Sequence, residues 1–214
     1  MSRLRLRTGA VANAIRRHRL IVVLRRVEPR ERLLALVDEL ADAGARLFEI
    51  TLDGPAAAAD LAAVRERLTG RPLPHLVGAG TVLRREQLDD AIAAAADFAV
   101  APVLDHDLIG AALERGVPFI PGALTPTEIA SAWEAGATFV KLFPASAVGP
   151  ALVRELRGPL PDVELIPTGG IDAANAQAFL AAGAAAVGVG SAIVRATPDE
   201  RAALVRSLSV GGAS

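Results

Sequence analysis

Residues 138–145 read TFVKLFPA. A short apolar run that stops at a proline is the signature of a buried β-strand, and Ala/Leu/Arg/Glu stretches of helical length flank it on both sides. Seven further runs have the same character: LIVVL (20–24), LFEIT (47–51), HLVGAGT (75–81), FAVAP (98–102), PFIPG (118–122), VELIPTGG (163–170) and AAVGVGS (185–191). Helical patterns such as ERLLALVDELADAG, AAAADLAAVRERLTG and TPTEIASAWEAG separate them, the first and last stopping at a glycine. Eight strand-helix alternations with short connections predict a closed (β/α)₈ TIM barrel built as one domain over residues 1–214, preceded by a helix at roughly 9–18 that caps the barrel's bottom. An open doubly wound sheet is the competing arrangement.

Composition restricts the setting. The chain has 214 residues, is 52% hydrophobic and 22% charged, and carries a formal net charge of −1. No basic field is present to recruit nucleic acid or an anionic membrane surface. Cysteine is absent, which removes disulfides and thiol chemistry and fits the cytoplasm. Neither a signal peptide nor a membrane span is legible.

Strands of a parallel barrel are buried on both faces, so a charged side chain within one is costly unless it is paired or used. Arg25 ends the first run, Glu49 sits within LFEIT, and Lys141 sits within TFVKLF. Strict alternation sends Phe48 and Ile50 toward the helices and Leu47, Glu49 and Thr51 inward; it sends Val140 and Leu142 outward and Phe139, Lys141 and Phe143 inward. Glu49 and Lys141 then share one interior, near the C-terminal rim where barrel enzymes build their sites. A structural ion pair is one explanation. The chain, however, has twenty-two arginines and one lysine, and guanidinium pairs better with a carboxylate than ammonium does. What lysine alone offers is a deprotonatable amine that attacks a carbonyl. Burial beside Phe139 and Phe143 and repulsion from Arg25 favour its neutral form, while Glu49 favours the charged one.

A second constellation closes the last two runs: Thr168-Gly169-Gly170, and Gly188-Val189-Gly190-Ser191. Glycines admit a ligand close to the backbone, both clusters precede expected helix starts, and the loops after strands seven and eight are the usual phosphate cradle of a barrel. Tight turning alone is the alternative reading of these glycines. Thr81, after the glycine turn in VGAGTV, offers a hydroxyl at the rim. The three histidines are dispersed, and Asp105-His106-Asp107 reads as a polar helix start rather than a metal site.

With these motifs in place (FEIT, VGAGTVL, FAVAP, PFIPG, VKLFPAS, PTGGI, VGVGSAIV), residues 10–195 closely resemble the aldolases that cleave 2-keto-3-deoxy-6-phosphogluconate (KDPG). Sister enzymes act on 2-keto-3-deoxy-6-phosphogalactonate (KDPGal) and 4-hydroxy-2-oxoglutarate (KHG). The resemblance implies that Lys141 forms a Schiff base and Glu49 shuttles protons. It implies that Arg25 and Thr81 hold the substrate's carboxylate or keto end, that Pro102 and Phe143 line the pocket, and that Gly169, Gly170, Gly190 and Ser191 bind phosphate. It further implies a homotrimer, an Entner-Doudoroff type of carbon metabolism, and pyruvate and glyceraldehyde 3-phosphate as the products; no metal or other cofactor is expected, since no ligand set is visible and the iminium itself is the electron sink. Two positions pull apart on the substrate. Asp53 stands where many phosphogluconate-type members have arginine and resembles the galactonate type, whereas Thr168 before the paired glycines resembles the phosphogluconate type; the gluconate epimer is the expectation. A metal-dependent aldolase, a phosphosugar isomerase or epimerase, and a non-catalytic phospholigand-binding barrel are the competing classes.

Overall fold

The structure, a computed structural model, describes residues 3–208, with side chains from residue 9 onward. Its strands are β1 (Leu20–Leu24), β2 (Leu47–Thr51), β3 (Leu76–Gly80), β4 (Ala99–Val100), β5 (Phe119–Ile120), β6 (Gly122–Ala123), β7 (Val140–Leu142), β8 (Leu165–Pro167) and β9 (Val187–Val189). All eight expected runs contain strand, and every pairing is parallel. The fifth run holds two segments because Pro121 has no N–H to give the ladder. The pairing order is β5-β4-β3-β2-β1-β9 on one side and β6-β7-β8 on the other. Backbone links join the arcs on both sides: Thr138 N donates to Phe119 O and Lys141 N to Pro121 O, each at 2.9 Å, and Ala185 N donates to Leu165 O at 2.9 Å beside the parallel Thr168–Gly188 bridge. The sheet is therefore curled and closed into a barrel, and the open doubly wound alternative falls.

Side chains divide as the alternation requires. Leu20, Val22, Leu24, Phe48, Ile50, Val140 and Leu142 belong to the layer between sheet and helices. Ile21, Val23, Leu47, Val100, Ile120, Phe139 and Ile166 form a second cluster inside the barrel. That inner cluster includes Val11, Ala12 and Ile15 of α1 (Arg3–His18), so the first helix plugs the bottom as expected, although it begins earlier than residue 9. Arg16 of α1 fastens it, donating to Glu164 and lying 5.5 Å from the centroid of the Phe139 ring.

Helices α2 (Arg30–Asp42), α3 (Ala57–Leu68), α4 (Arg85–Ala93), α5 (His106–Arg115), α6 (Pro126–Glu134), α7 (Gly149–Leu156), α8 (Ala176–Ala181), α9 (Ser191–Arg195) and α10 (Pro198–Leu208) complete the fold. Their ends follow local chemistry. Asp105 caps α5 by accepting from Leu108 N, and Gly116 ends it with a left-handed φ of 65°. Thr125 and Glu128 form a capping box on α6 with Pro126 in its first turn. One boundary differs from expectation: no helix starts directly after Gly170. Asp172 Oδ1 accepts from Ala174 N and Asn175 N, and Asn175 Nδ2 donates to Gly170 O; this turn delays α8 to Ala176.

The upper interior has room for charged groups because β3 presents glycine there. A Cβ on Gly80 would stand 2.6 Å from Glu49 Cγ and 2.7 Å from its Cδ. Gly80→Ala is therefore expected to push Glu49 out of place and to cost about 1–3 kcal/mol by overpacking, measured by urea unfolding and by the Glu49 position in a crystal structure of the variant. At the opposite end Ile15 is fully buried, and Ile15→Ala should cost about 2–5 kcal/mol. A urea midpoint equal to that of the unmodified protein would show that α1 does not plug the barrel.

Candidate active site

Six polar or charged side chains are buried among the described residues: Glu49, Thr51, Gln87, Asp97, Lys141 and Thr168. Two of them serve the scaffold. Gln87 bridges Leu52 O and Leu83 N across the loops after β2 and β3, and Asp97 takes Val77 N and the Arg65 guanidinium. The other four line one cavity of about 420 Å³.

Lys141 lies in the middle of β7 and Glu49 in the middle of β2, both inward, as alternation predicts. Lys141 Nζ stands 3.6 Å from Glu49 Oε1, with side-chain exposures of 7% and 3%. That separation exceeds a hydrogen bond, and Glu49 Oε1 is a buried atom with no hydrogen-bond partner among the described residues. A buried acceptor left unsatisfied is expensive and is a mark of sites that await a ligand. Nζ also lies 5.3 Å from the centroid of the Phe143 ring, so one flank of the amine is aromatic and the other carboxylate.

Every residue to which the resemblance gave a role in the site, together with Thr168, lines this cavity: Arg25, Glu49, Thr81, Pro102, Lys141, Phe143, Thr168, Gly169, Gly170, Gly190 and Ser191. Thr81 follows β3 with a φ of 57°, a left-handed conformation that a β-branched residue rarely adopts and that clusters at functional sites. Hydrogen bonds on either side hold it: Leu52 N donates to Gly80 O and Val82 N to Val100 O. Gly169 and Gly170 have φ values of 89° and 78°, and a Cβ on Gly170 would lie 2.6 Å from Ser146 Cβ. Ser146 N and Ala145 N donate to Gly169 O and Thr168 O, so the glycine loop is laced to the turn after β7.

Arg25 lines the cavity, yet its guanidinium does not stand free within it. Nε donates to Asp53 Oδ2 at 2.8 Å, and Nη2 lies 2.7 Å from the same oxygen. Thr51 Oγ1 donates to the other carboxylate oxygen at 2.7 Å, and Arg26 donates to the Asp53 carbonyl. Burial pushes the Asp53 carboxyl up, but the Thr51 hydroxyl and the Arg25 guanidinium outweigh it and hold it below the usual carboxylate range. Asp53 thus anchors the rim arginine.

The sequence reading assigned no role to Thr51 or Arg195, both of which line the cavity. Alternation placed Thr51 inward, which was the available signal. Arg195 falls four residues after Ser191, one helical turn on, but one arginine among twenty-two announces nothing. No group of three or more His, Asp or Glu is placed to hold a metal among the described residues. Asp105 is a helix cap, and His106 Nε2 lies 2.8 Å from Ser131 Oγ.

Comparison with known proteins identifies the family. The profile of the aldolase family described as KDPG and KHG aldolase matches residues 11–206. The chain is 35% identical over 195 residues to the 2-dehydro-3-deoxy-6-phosphogalactonate aldolase of Escherichia coli K12, covering 88% of this chain and 93% of that protein. It is 36% identical over 183 residues to the 2-dehydro-3-deoxy-phosphogluconate aldolase of Pseudomonas aeruginosa, covering 85% and 80%. Among solved structures, KDPG aldolase from Legionella pneumophila, with pyruvate captured as a covalent carbinolamine intermediate, superposes with a TM-score of 0.82 at 30% identity over 95% of this chain and 98% of that one. No helix among the described residues is long and apolar enough to cross a membrane. A barrel with this interior pair, matched along nearly its whole length, belongs to the KDPG and KHG aldolase family of carbon-carbon lyases.

Proposed function

We propose that the chain is a Schiff-base aldolase that reversibly cleaves 2-keto-3-deoxy-6-phosphogluconate to pyruvate and glyceraldehyde 3-phosphate. The observation that carries this reading is the buried Lys141 amine set 3.6 Å from an otherwise unpartnered Glu49 carboxylate oxygen, both facing a cavity that the glycine loops also line. The covalent pyruvate adduct of the Legionella relative supports the same chemistry.

In this mechanism the neutral Lys141 amine attacks the C2 ketone, and loss of water from the carbinolamine leaves an iminium conjugated toward C3. Glu49, directly or through a water, removes the C4 hydroxyl proton while the C3–C4 electron pair moves into the iminium, which becomes an enamine. The aldehyde departs. Protonation at C3 restores the iminium, and addition of water frees pyruvate and the lysine. Phe143 shields the amine face, and Thr81 offers a hydroxyl to the pyruvoyl end. Arg25, aimed by Asp53, meets the C1 carboxylate, and Gly169, Gly170, Gly190 and Ser191 take the phosphate, so binding energy remote from C3 holds the reacting bond in place.

The gluconate epimer is favoured by Thr168, which precedes the paired glycines and lies against the cavity. The galactonate epimer is the second reading, favoured by Asp53 and by the Escherichia coli relative. Pyruvate release measured with both epimers decides between them, and a higher kcat/KM for the galactonate compound would overturn the first. Assembly as a cytoplasmic homotrimer belongs to the same reading and is checked by sedimentation equilibrium.

Two variants test the chemistry. Lys141→Arg keeps a cation but removes the nucleophile, so turnover should fall to background in a folded protein. Treatment of the unmodified protein with pyruvate and borohydride should place one reduced adduct on Lys141, which is the only side-chain amine in the sequence. An active Lys141→Arg enzyme, or a label confined to the N-terminus, would sink the Schiff-base reading. Glu49→Gln should still form the imine slowly while kcat drops by roughly 10²- to 10⁴-fold. Near-normal turnover there reduces Glu49 to a packing partner of the lysine.

A further inference from the structure

Three cations line the cavity: Arg25, Lys141 and Arg195. Their surroundings differ. Arg25 spends Nε and Nη2 on Asp53, and Lys141 faces Glu49 and, in the proposed reaction, becomes the iminium. The Arg195 side chain has neither hydrogen bond nor ion pair among the described residues, whereas other arginines of the chain, such as Arg65, Arg71 and Arg201, are paired. It ends α9, four residues after Ser191, and residues at this spacing share a helix face. Val194 beside it, and Gly190 and Ser191 before it, line the cavity with it.

From this arrangement we infer that Arg195 is a substrate-binding residue whose guanidinium takes the dianionic phosphate of the substrate, supplying the charge that the glycine loops lack. The inference rests on the aldolase reading for the identity of the phosphate ester and deepens it. A 2-keto-3-deoxy-6-phospho sugar acid brings two anionic groups to the cavity. The carboxylate is bonded to C2, next to the amine and within the province of Arg25. The phosphate lies four carbons further along, where Gly169, Gly170 and Gly190 offer backbone but no formal charge. Glycine N–H groups orient a phosphate, but a dianion leaving water is stabilised further by a charge-assisted, two-pronged guanidinium contact. Arg195 is exposed and unpaired, so it can turn to the ligand without breaking an existing bond. The same position provides selectivity: a substrate that ends in a neutral hydroxyl at that distance, or whose shorter chain ends in a carboxylate at C5 and falls short of it, forfeits the contact.

The test compares Arg195→Gln and Arg195→Lys with the unmodified protein. Titration with inorganic phosphate, followed by ³¹P NMR, needs no aldolase activity; Arg195→Gln should weaken binding about tenfold to a hundredfold, and Arg195→Lys should recover part of it. In steady-state assays Arg195→Gln should raise KM for the phosphorylated sugar acid by a similar factor, with kcat within about threefold. KM for unphosphorylated 4-hydroxy-2-oxoglutarate and the rate of pyruvate-borohydride labelling should not move. Unchanged phosphate binding in Arg195→Gln, absence of phosphate binding in the unmodified protein, or equal loss on both substrates overturns the role of Arg195. Failure of pyruvate to label Lys141 in the unmodified protein, with phosphate binding still weakened by Arg195→Gln, overturns the aldolase reading and leaves the phosphate site standing.

Discussion

Closure of the parallel sheet is the constraint on which the site depends. β2 and β7 are far apart in the chain and do not pair with each other, yet the inward positions of both meet across the barrel once the arcs β5-β4-β3-β2-β1-β9 and β6-β7-β8 are joined at Pro121 and at Thr168–Gly188. In an open sheet the same alternation would put Glu49 and Lys141 on a face without bringing them together. The 3.6 Å separation between them is thus a consequence of topology first and of side-chain choice second.

The interior is graded along its axis. At the bottom, α1 contributes Val11, Ala12 and Ile15 to an apolar plug with Ile21, Leu47, Phe98 and Phe139. Above it come glycines where other barrels carry bulk: Gly80 leaves space for Glu49, and Gly188 leaves space for Thr168. Burying two opposite charges is costly even when they pair, and here the pair falls short of a hydrogen bond, so its desolvation is only partly offset. Apolar packing below and in the helix layer supplies the stability that permits an unsatisfied carboxylate oxygen above. The strained φ of Thr81 at the same rim follows the same division between a stable base and a costly upper face.

Much of this was legible in the sequence because a barrel strand carries a simple code. Period-two alternation assigned Glu49, Thr51, Phe139 and Lys141 inward and Phe48, Ile50, Val140 and Leu142 outward, and the structure agrees. Boundaries were less legible where a side chain decides them. Pro121 splits a ladder by lacking one hydrogen, and the Asp172–Asn175 turn delays α8 by five residues past Gly170. Arg195 was hidden for a different reason: its place in the cavity depends on where the short helix α9 sits against the barrel mouth, which no local pattern records. Nor does sequence show that Arg25 is already engaged by Asp53, since the contact joins loops twenty-eight residues apart.

That last contact changes what the rim offers a ligand. A free arginine at the mouth would attract any anion, including the phosphate end of a substrate entering backwards. With Asp53 on one edge of its guanidinium, and Thr51 fixing the carboxylate in turn, Arg25 presents a reduced net charge and a fixed direction. A monoanionic carboxylate can add to such a partly neutralised clamp, whereas a dianion gains more from the unpaired cation on the opposite loops. The asymmetry between a tethered Arg25 and an untethered Arg195 therefore gives the cavity a polarity, one end suited to a keto acid and the other to a phosphate. The reacting lysine stands between them in the interior, committed by its place on β7 to whichever carbon that polarity delivers.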